Sequence, residues 1–151
     1  MKKREGDLIQ LAKTGQFDVI VHGCNCFCSM GAGIAAQMRE HFPEAYLADL
    51  NTASGDRQKL GDYSCARVNR DGNLFTVVNG YTQYHYAGAQ TLADYDAIHK
   101  LFLKIKQDYA GLKIAYPKIG AGLARGDWEI ISIIIDTALK GENHTLVIYK
   151  S

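Results

Sequence analysis

The stretch VHGCNCFCSMGAGIAAQMR, from Val21 to Arg39, decides how the rest of the chain is read. It opens at the end of an apolar run, Phe17, Val19, Ile20 and Val21, which is short enough for a strand buried on both faces. A loop of small and polar residues follows, then Gly31-Ala32-Gly33, then a helical pattern carried by Ile34, Ala35 and Met38. A buried strand that turns tightly into a helix N-terminus presents unsatisfied backbone N–H groups, and these favour an anion. Glycine at positions 31 and 33 permits close backbone approach, which a β-carbon hinders.

A second stretch of the same design runs from Tyr116 to Trp128, with Pro117-Lys118-Ile119-Gly120-Ala121-Gly122-Leu123 between a buried strand and a helix start. In an open α/β sheet, ligands lie outside the carboxyl ends of the strands. Two glycine loops set side by side there would clamp a diphosphate through main-chain N–H groups. Neither loop carries G-x-x-x-x-G-K-[ST], and G-x-G-x-x-G with an acidic residue about 20 further on is also absent.

The remaining pattern alternates strands with helices. Lys2–Glu5 reads as a short edge strand, and Leu8, Ile9, Leu11 and Ala12 as an amphipathic turn that Asp7 can cap. Pro43 suits the first turn of a helix ending before Gly55. Tyr63–Val68 and Leu74–Val78 read as a hairpin through Asp71-Gly72. Asn79–Gln90 is a polar, aromatic loop without period. Leu92–Tyr109 is helical, Leu112–Tyr116 a buried strand, residues from Asp127 or Trp128 to Leu139 a helix, and Thr145–Tyr149 a last strand. The chain of 151 residues, 47% of them hydrophobic, suits one domain, 1–151, with a three-layer α/β/α build around a mixed, mostly parallel sheet.

Charge and cysteine usage exclude several classes. With 17 basic and 16 acidic residues, no global field favours nucleic acid or a membrane surface. No signal segment and no long apolar run is present, so a cytoplasmic, monomeric protein without membrane contact is expected. Cys24, Cys26 and Cys28 crowd together beside His22, yet no second ligand knuckle exists. Free thiols packing a tight loop are therefore favoured over a disulfide framework or zinc, and neither metal nor cofactor is expected.

Gly6-Asp7-Leu8, His22-Gly23-Cys24-Asn25-Cys26, Met30-Gly31-Ala32-Gly33-Ile34-Ala35 and Pro117–Leu123 with Trp128-Glu129 together resemble the macrodomain family, over about Gly6 to Tyr149. The branch resembled holds terminal ADP-ribose protein glycohydrolase and the yeast and phage-type ADP-ribose-1″-phosphate phosphatases. The resemblance implies a cleft for ADP-ribose or its 1″-phosphate. In it, Asp7 and Leu8 meet the adenine, Asn25 meets the distal ribose, and the loops Met30, Gly31, Ala32, Gly33, Ile34 and Ile119, Gly120, Ala121, Gly122, Leu123 wrap the diphosphate and that ribose. Tyr149 and the tyrosines of 81–86 are further candidates for the cleft wall.

The lysine–aspartate pair of the glycohydrolases is missing: 78–83 reads Val-Asn-Gly-Tyr-Thr-Gln, and the aspartate position is Ala124. The phosphatase-like subgroup instead resembles this chain at His22–Cys26. Hydrolysis of ADP-ribose-1″-phosphate to ADP-ribose and phosphate is the activity expected, ahead of a binding module without turnover and of a de-ADP-ribosylating hydrolase of another route. Phosphomonoester hydrolysis requires a proton carrier and charge stabilisation. His22 is the candidate acid or base, or else a buried strand-end histidine; Asn25 orients the ribose. Asp127 orients water, or else caps the helix at Trp128.

Overall fold

The computed structural model describes residues 1–151. Its strands are β1 (Lys2–Gly6), β2 (Val19–Cys24), β3 (Tyr63–Arg70), β4 (Asn73–Tyr81), β5 (Lys113–Tyr116) and β6 (Asn143–Tyr149). They form one sheet in the order β1-β6-β5-β2-β4-β3. Every pairing is parallel except β3 with β4, which closes a hairpin. Asp71 and Gly72, at φ 55° and 88°, supply the left-handed pair that such a tight turn needs.

Helices cover both faces because successive strand residues point to opposite sides. On one face α1 (Leu8–Lys13), α2 (Gly33–His41) and α3 (Pro43–Leu50) pack through Ile9, Met38 and Phe42 onto Ile20, Phe75 and Val77. On the other, α4 (Tyr95–Asp108) and α5 (Trp128–Ala138) pack through Leu101, Phe102, Ile131 and Ile135 onto Val19, Val21, Val78 and Ile114. The three layers and the mixed, mostly parallel sheet are those expected from the sequence. No helix is long and apolar enough to cross a membrane.

Two strands run further than their apolar content indicates. β2 starts at Val19 rather than Phe17 and continues through His22, Gly23 and Cys24, and β4 continues through Asn79, Gly80 and Tyr81. These polar positions pair with one another: His22 lies opposite Asn79, Gly23 opposite Gly80, and Cys24 opposite Tyr81. The His22 and Asn79 side chains are fully buried and bond each other at 2.7 Å, so polarity that reads as a loop is satisfied inside the sheet. α4 also starts later than the periodicity suggests, at Tyr95, because Asp94 caps it. The N–H groups of Leu92 and Ala93 instead donate to the carbonyl of Ala124.

Candidate functional site

All five parallel strands end on one edge of the sheet. Reading along that edge, Asp7 follows β1, Tyr149 ends β6, Pro117 follows β5, Asn25 follows β2 and Thr82 follows β4. A cleft of about 650 Å³ opens between the loops after β2 and β5. The first wall is Asn25 with Ser29–Ala35, the second is Pro117–Ala124, and Gly23, Cys24, Thr82, Gln83 and Tyr86 complete it.

The α2 N-terminus is an electropositive part of this cleft. Asp7, Asp94 and Asp127 each accept backbone N–H groups at the starts of α1, α4 and α5, and α3 begins with Pro43. α2 alone has neither device: Ala32 precedes it and no side chain caps it. The N–H groups of Gly33, Ile34 and Ala35 therefore face the cleft without side-chain partners, at the positive end of a helix of nine residues. The loop leading there is held open by Cys28 and Met30 at φ 55° and 41°, conformations costly for residues with a β-carbon. It is held by Asn25, whose Oδ1 accepts from the N–H of Phe27 at 2.8 Å and whose Nδ2 donates to Ser29 Oγ at 2.8 Å. Arg39 adds a bond to the Ser29 carbonyl.

The second loop folds on itself. Gly126 N–H donates to Gly120 O at 2.6 Å, and a β-carbon at Gly126 would lie 2.5 Å from that oxygen. Gly120 itself sits at φ 75°, where glycine is needed. From this loop Leu123 leans across to α2: its Cδ1 lies 3.3 Å from where a β-carbon on Gly33 would stand. The floor is equally tight, since a β-carbon on Gly23 would lie 2.6 Å from Thr82 Oγ1 and 3.4 Å from Ile119 Cγ2.

Asn25, Met30, Gly31, Ala32, Gly33 and Ile34 meet Ile119, Gly120, Ala121, Gly122 and Leu123 around one cavity. Asp7, Leu8 and Tyr149 lie outside it, on the same edge at the ends of β1 and β6, with Leu8 buried and Tyr149 exposed. Ser29 and Lys118 are cleft residues that sequence reading does not assign, and of the 81–86 loop Thr82, Gln83 and Tyr86 line the cleft. Thr82 and Gln83 reach the site only because β4 pairs with β2, an adjacency with no local sequence signal.

Two of the residues expected to act on protons stand elsewhere. His22 is fully buried beneath α3, is absent from the cleft wall and bonds Asn79. Burial lowers its pKa to about 4, only partly offset by the Asn79 bond, so the ring stays neutral and out of reach of solvent. The structure thus corrects the catalytic reading of His22 to a structural one. Asp127 also lies off the cleft wall and accepts from Glu129 N–H as the α5 cap, which corrects its water-orienting role. Among the cysteines, burial pushes the Cys24 thiol well up and the Cys26 thiol to about 11, so neither is a thiolate nucleophile at neutral pH. No group of three His, Cys, Asp or Glu side chains is arranged to hold a metal ion.

No family model matches the chain. An uncharacterised 17.5 kDa protein of enterobacteria phage T4 is 37% identical over 142 residues, covering 91% of this chain and 88% of the phage protein. The macrodomain of Mycobacterium tuberculosis DarG superposes with a TM-score of 0.76 at 22% identity, over 99% of this chain and 97% of that one. The chain is a macrodomain by fold. It belongs to one family with the phage protein. The DarTG protein of Thermosipho africanus, solved in complex with ADP-ribose, superposes with a TM-score of 0.78 at 16% identity, over 98% of this macrodomain and 42% of that chain. A DNA ADP-ribosyl glycohydrolase of Mycobacterium bovis is 24% identical over 124 residues, which is 82% of this macrodomain and 34% of the mycobacterial protein. This macrodomain thus spans about a third of the mycobacterial relative.

Proposed function

We propose that this macrodomain binds ADP-ribose across the carboxyl edge of its sheet. The diphosphate lies between the α2 N-terminus and the Gly120–Leu123 loop, the adenine lies toward Asp7 and Tyr149, and the distal ribose lies toward Asn25. The observation that carries this reading is the uncapped start of α2 facing a glycine loop across a cleft with no carboxylate in its wall. Asp and Glu would repel a diphosphate, and unpartnered N–H groups attract one. The Thermosipho neighbour in complex with ADP-ribose supports the same ligand.

The reaction this reading favours is hydrolysis of ADP-ribose-1″-phosphate, supported by the branch that the loop motifs resemble. Asn25 orients the ribose in it, since its amide already sits in the cleft wall on a turn fixed by Phe27 and Ser29. With His22 and Asp127 away from the cleft, water attacks the phosphorus as the bond to the 1″ oxygen breaks, one of the water's protons passes to that departing oxygen, and main-chain N–H groups stabilise the developing charge. A second reading, removal of ADP-ribose from a macromolecule, is favoured by the mycobacterial relative, a DNA ADP-ribosyl glycohydrolase. Calorimetry with ADP-ribose tests the binding, and phosphate release from ADP-ribose-1″-phosphate tests the turnover, for wild type and Asn25→Ala. Binding without release above background leaves a binding module; no binding removes the whole reading.

A further inference from the structure

We infer that Lys118 is a specificity-determining residue of this cleft: its ammonium pairs with the diphosphate and selects doubly charged ligands. The inference rests on the ADP-ribose reading and adds to it a side-chain cation where the rest of the anion site is main chain.

Three observations place it. Lys118 is the only lysine or arginine in the cleft wall, and no aspartate or glutamate accompanies it there. Lys118 is exposed, and its ammonium makes neither an ion pair nor a hydrogen bond within the chain. Lys3, Lys100, Lys113 and Lys140 share that state, but none of them lines the cleft. Its place in the sheet is central. Lys118 follows β5, which lies between β6, ending at Tyr149, and β2, leading to Asn25.

The backbone at this point is fixed. The Lys118 carbonyl accepts from the N–H of Ala121 at 3.2 Å, and Ile119 is buried against Gly23. With Ile119 held in the core, its neighbour Lys118 stands on the exposed side. A ligand stretching from the Asp7 end to the Asn25 end passes β5 with its middle, and the middle of ADP-ribose is its diphosphate. An unpaired ammonium there gains charge-assisted bonds without first breaking any of its own. Nothing in the wall competes for it.

The experiment measures affinity for ADP-ribose and for inorganic pyrophosphate, in wild type, Lys118→Gln and Lys118→Arg, across a range of salt. Lys118→Gln is expected to bind both ligands about fivefold to thirtyfold more weakly at low salt. The difference should shrink as salt rises, because the lost interaction is ionic. Lys118→Arg should recover most of it, and adenosine, which has no phosphate, should bind all three proteins alike. A structural role for Lys118 would not change the salt slope. If Lys118→Gln binds ADP-ribose like wild type at low salt, the ADP-ribose reading stands and this inference is overturned. If pyrophosphate binds in a Lys118-dependent way while ADP-ribose does not bind, this inference stands and the ADP-ribose reading falls. Binding of neither ligand by wild type overturns both.

Discussion

His22 Nε2 lies 2.7 Å from Asn79 Oδ1, with both side chains fully buried between the sheet and α3. The Asn79 amide is bonded at both ends, because its Nδ2 also donates to the Ala45 carbonyl at 2.9 Å and to Ser64 Oγ at 3.1 Å. One asparagine thus ties β2, α3 and β3 together. A broken member of such a network leaves the others buried and unsatisfied, which costs more than the bond itself.

His22→Ala should therefore lower stability by about 2–4 kcal/mol, from lost packing and the orphaned Asn79 oxygen. It should leave ADP-ribose affinity of the folded protein near that of wild type. Denaturant titration and calorimetry read the two effects separately. A large affinity loss in a stable variant would return His22 to the cleft.

The same ring predicts a pH dependence. Its folded pKa, about 4, lies below the ordinary value of 6.5, so the unfolded chain takes up a proton more readily than the folded one. Its stabilising effect is complete above about pH 6.5 and falls as the pH drops toward 4. The loss amounts to on the order of 3 kcal/mol. Urea titrations at stepped pH check this, and replacing His22 should flatten the slope in that window.

Asp7 and Asp127 provide a matched pair. Each caps a helix through its side chain, so each change to alanine should cost about 1 kcal/mol, or roughly 2–4 °C in a chain this size. Only Asp7 stands on the carboxyl edge beyond β1, and its Oδ2 makes no bond within the chain. Asp7→Ala should weaken ADP-ribose binding about tenfold, by loss of a charge-assisted bond, and Asp127→Ala should not. Equal affinities for the two variants would remove Asp7 from the ligand's adenine end.

Gly33 sits at φ 59°, so an alanine there carries strain of about 1 kcal/mol and a β-carbon 3.3 Å from Leu123 Cδ1. Gly33→Ala should disturb the start of α2 and lower ADP-ribose affinity. Adding Leu123→Ala should restore part of it, because the crowding is relieved while the backbone strain stays. A double variant that binds more weakly than the single one would show that the loops do not act through this contact.

Asp49 is buried, accepts from the Tyr81 hydroxyl at 2.6 Å through Oδ1, and leaves Oδ2 without a partner. Asp49→Asn keeps that acceptor, so stability should stay level. Asp49→Ala should lower it by about 1–3 kcal/mol, because it removes the acceptor that the buried Tyr81 hydroxyl uses. Thermal unfolding of the two variants side by side decides this.

The sequence by itself determined the layers and the two loops. Short continuous apolar runs and three-to-four spacings carry the strands and helices, Asp71-Gly72 carries the hairpin, and paired glycines mark where backbone must approach a ligand closely. Those signals are local, because they come from the geometry of one element at a time. The ends of β2 and β4 were not legible, since His22 and Asn79 look like loop residues until each is seen to satisfy the other, 57 positions away. For the same reason Lys118 carries no local signal of a cleft position, while His22 and Asp127 invite roles that burial and helix capping take. Only the tertiary structure decides which polar groups are consumed inside the fold and which are left free for a ligand. Hydrogen bonding is a competition among neighbours in space, and sheet order, not chain order, chooses those neighbours.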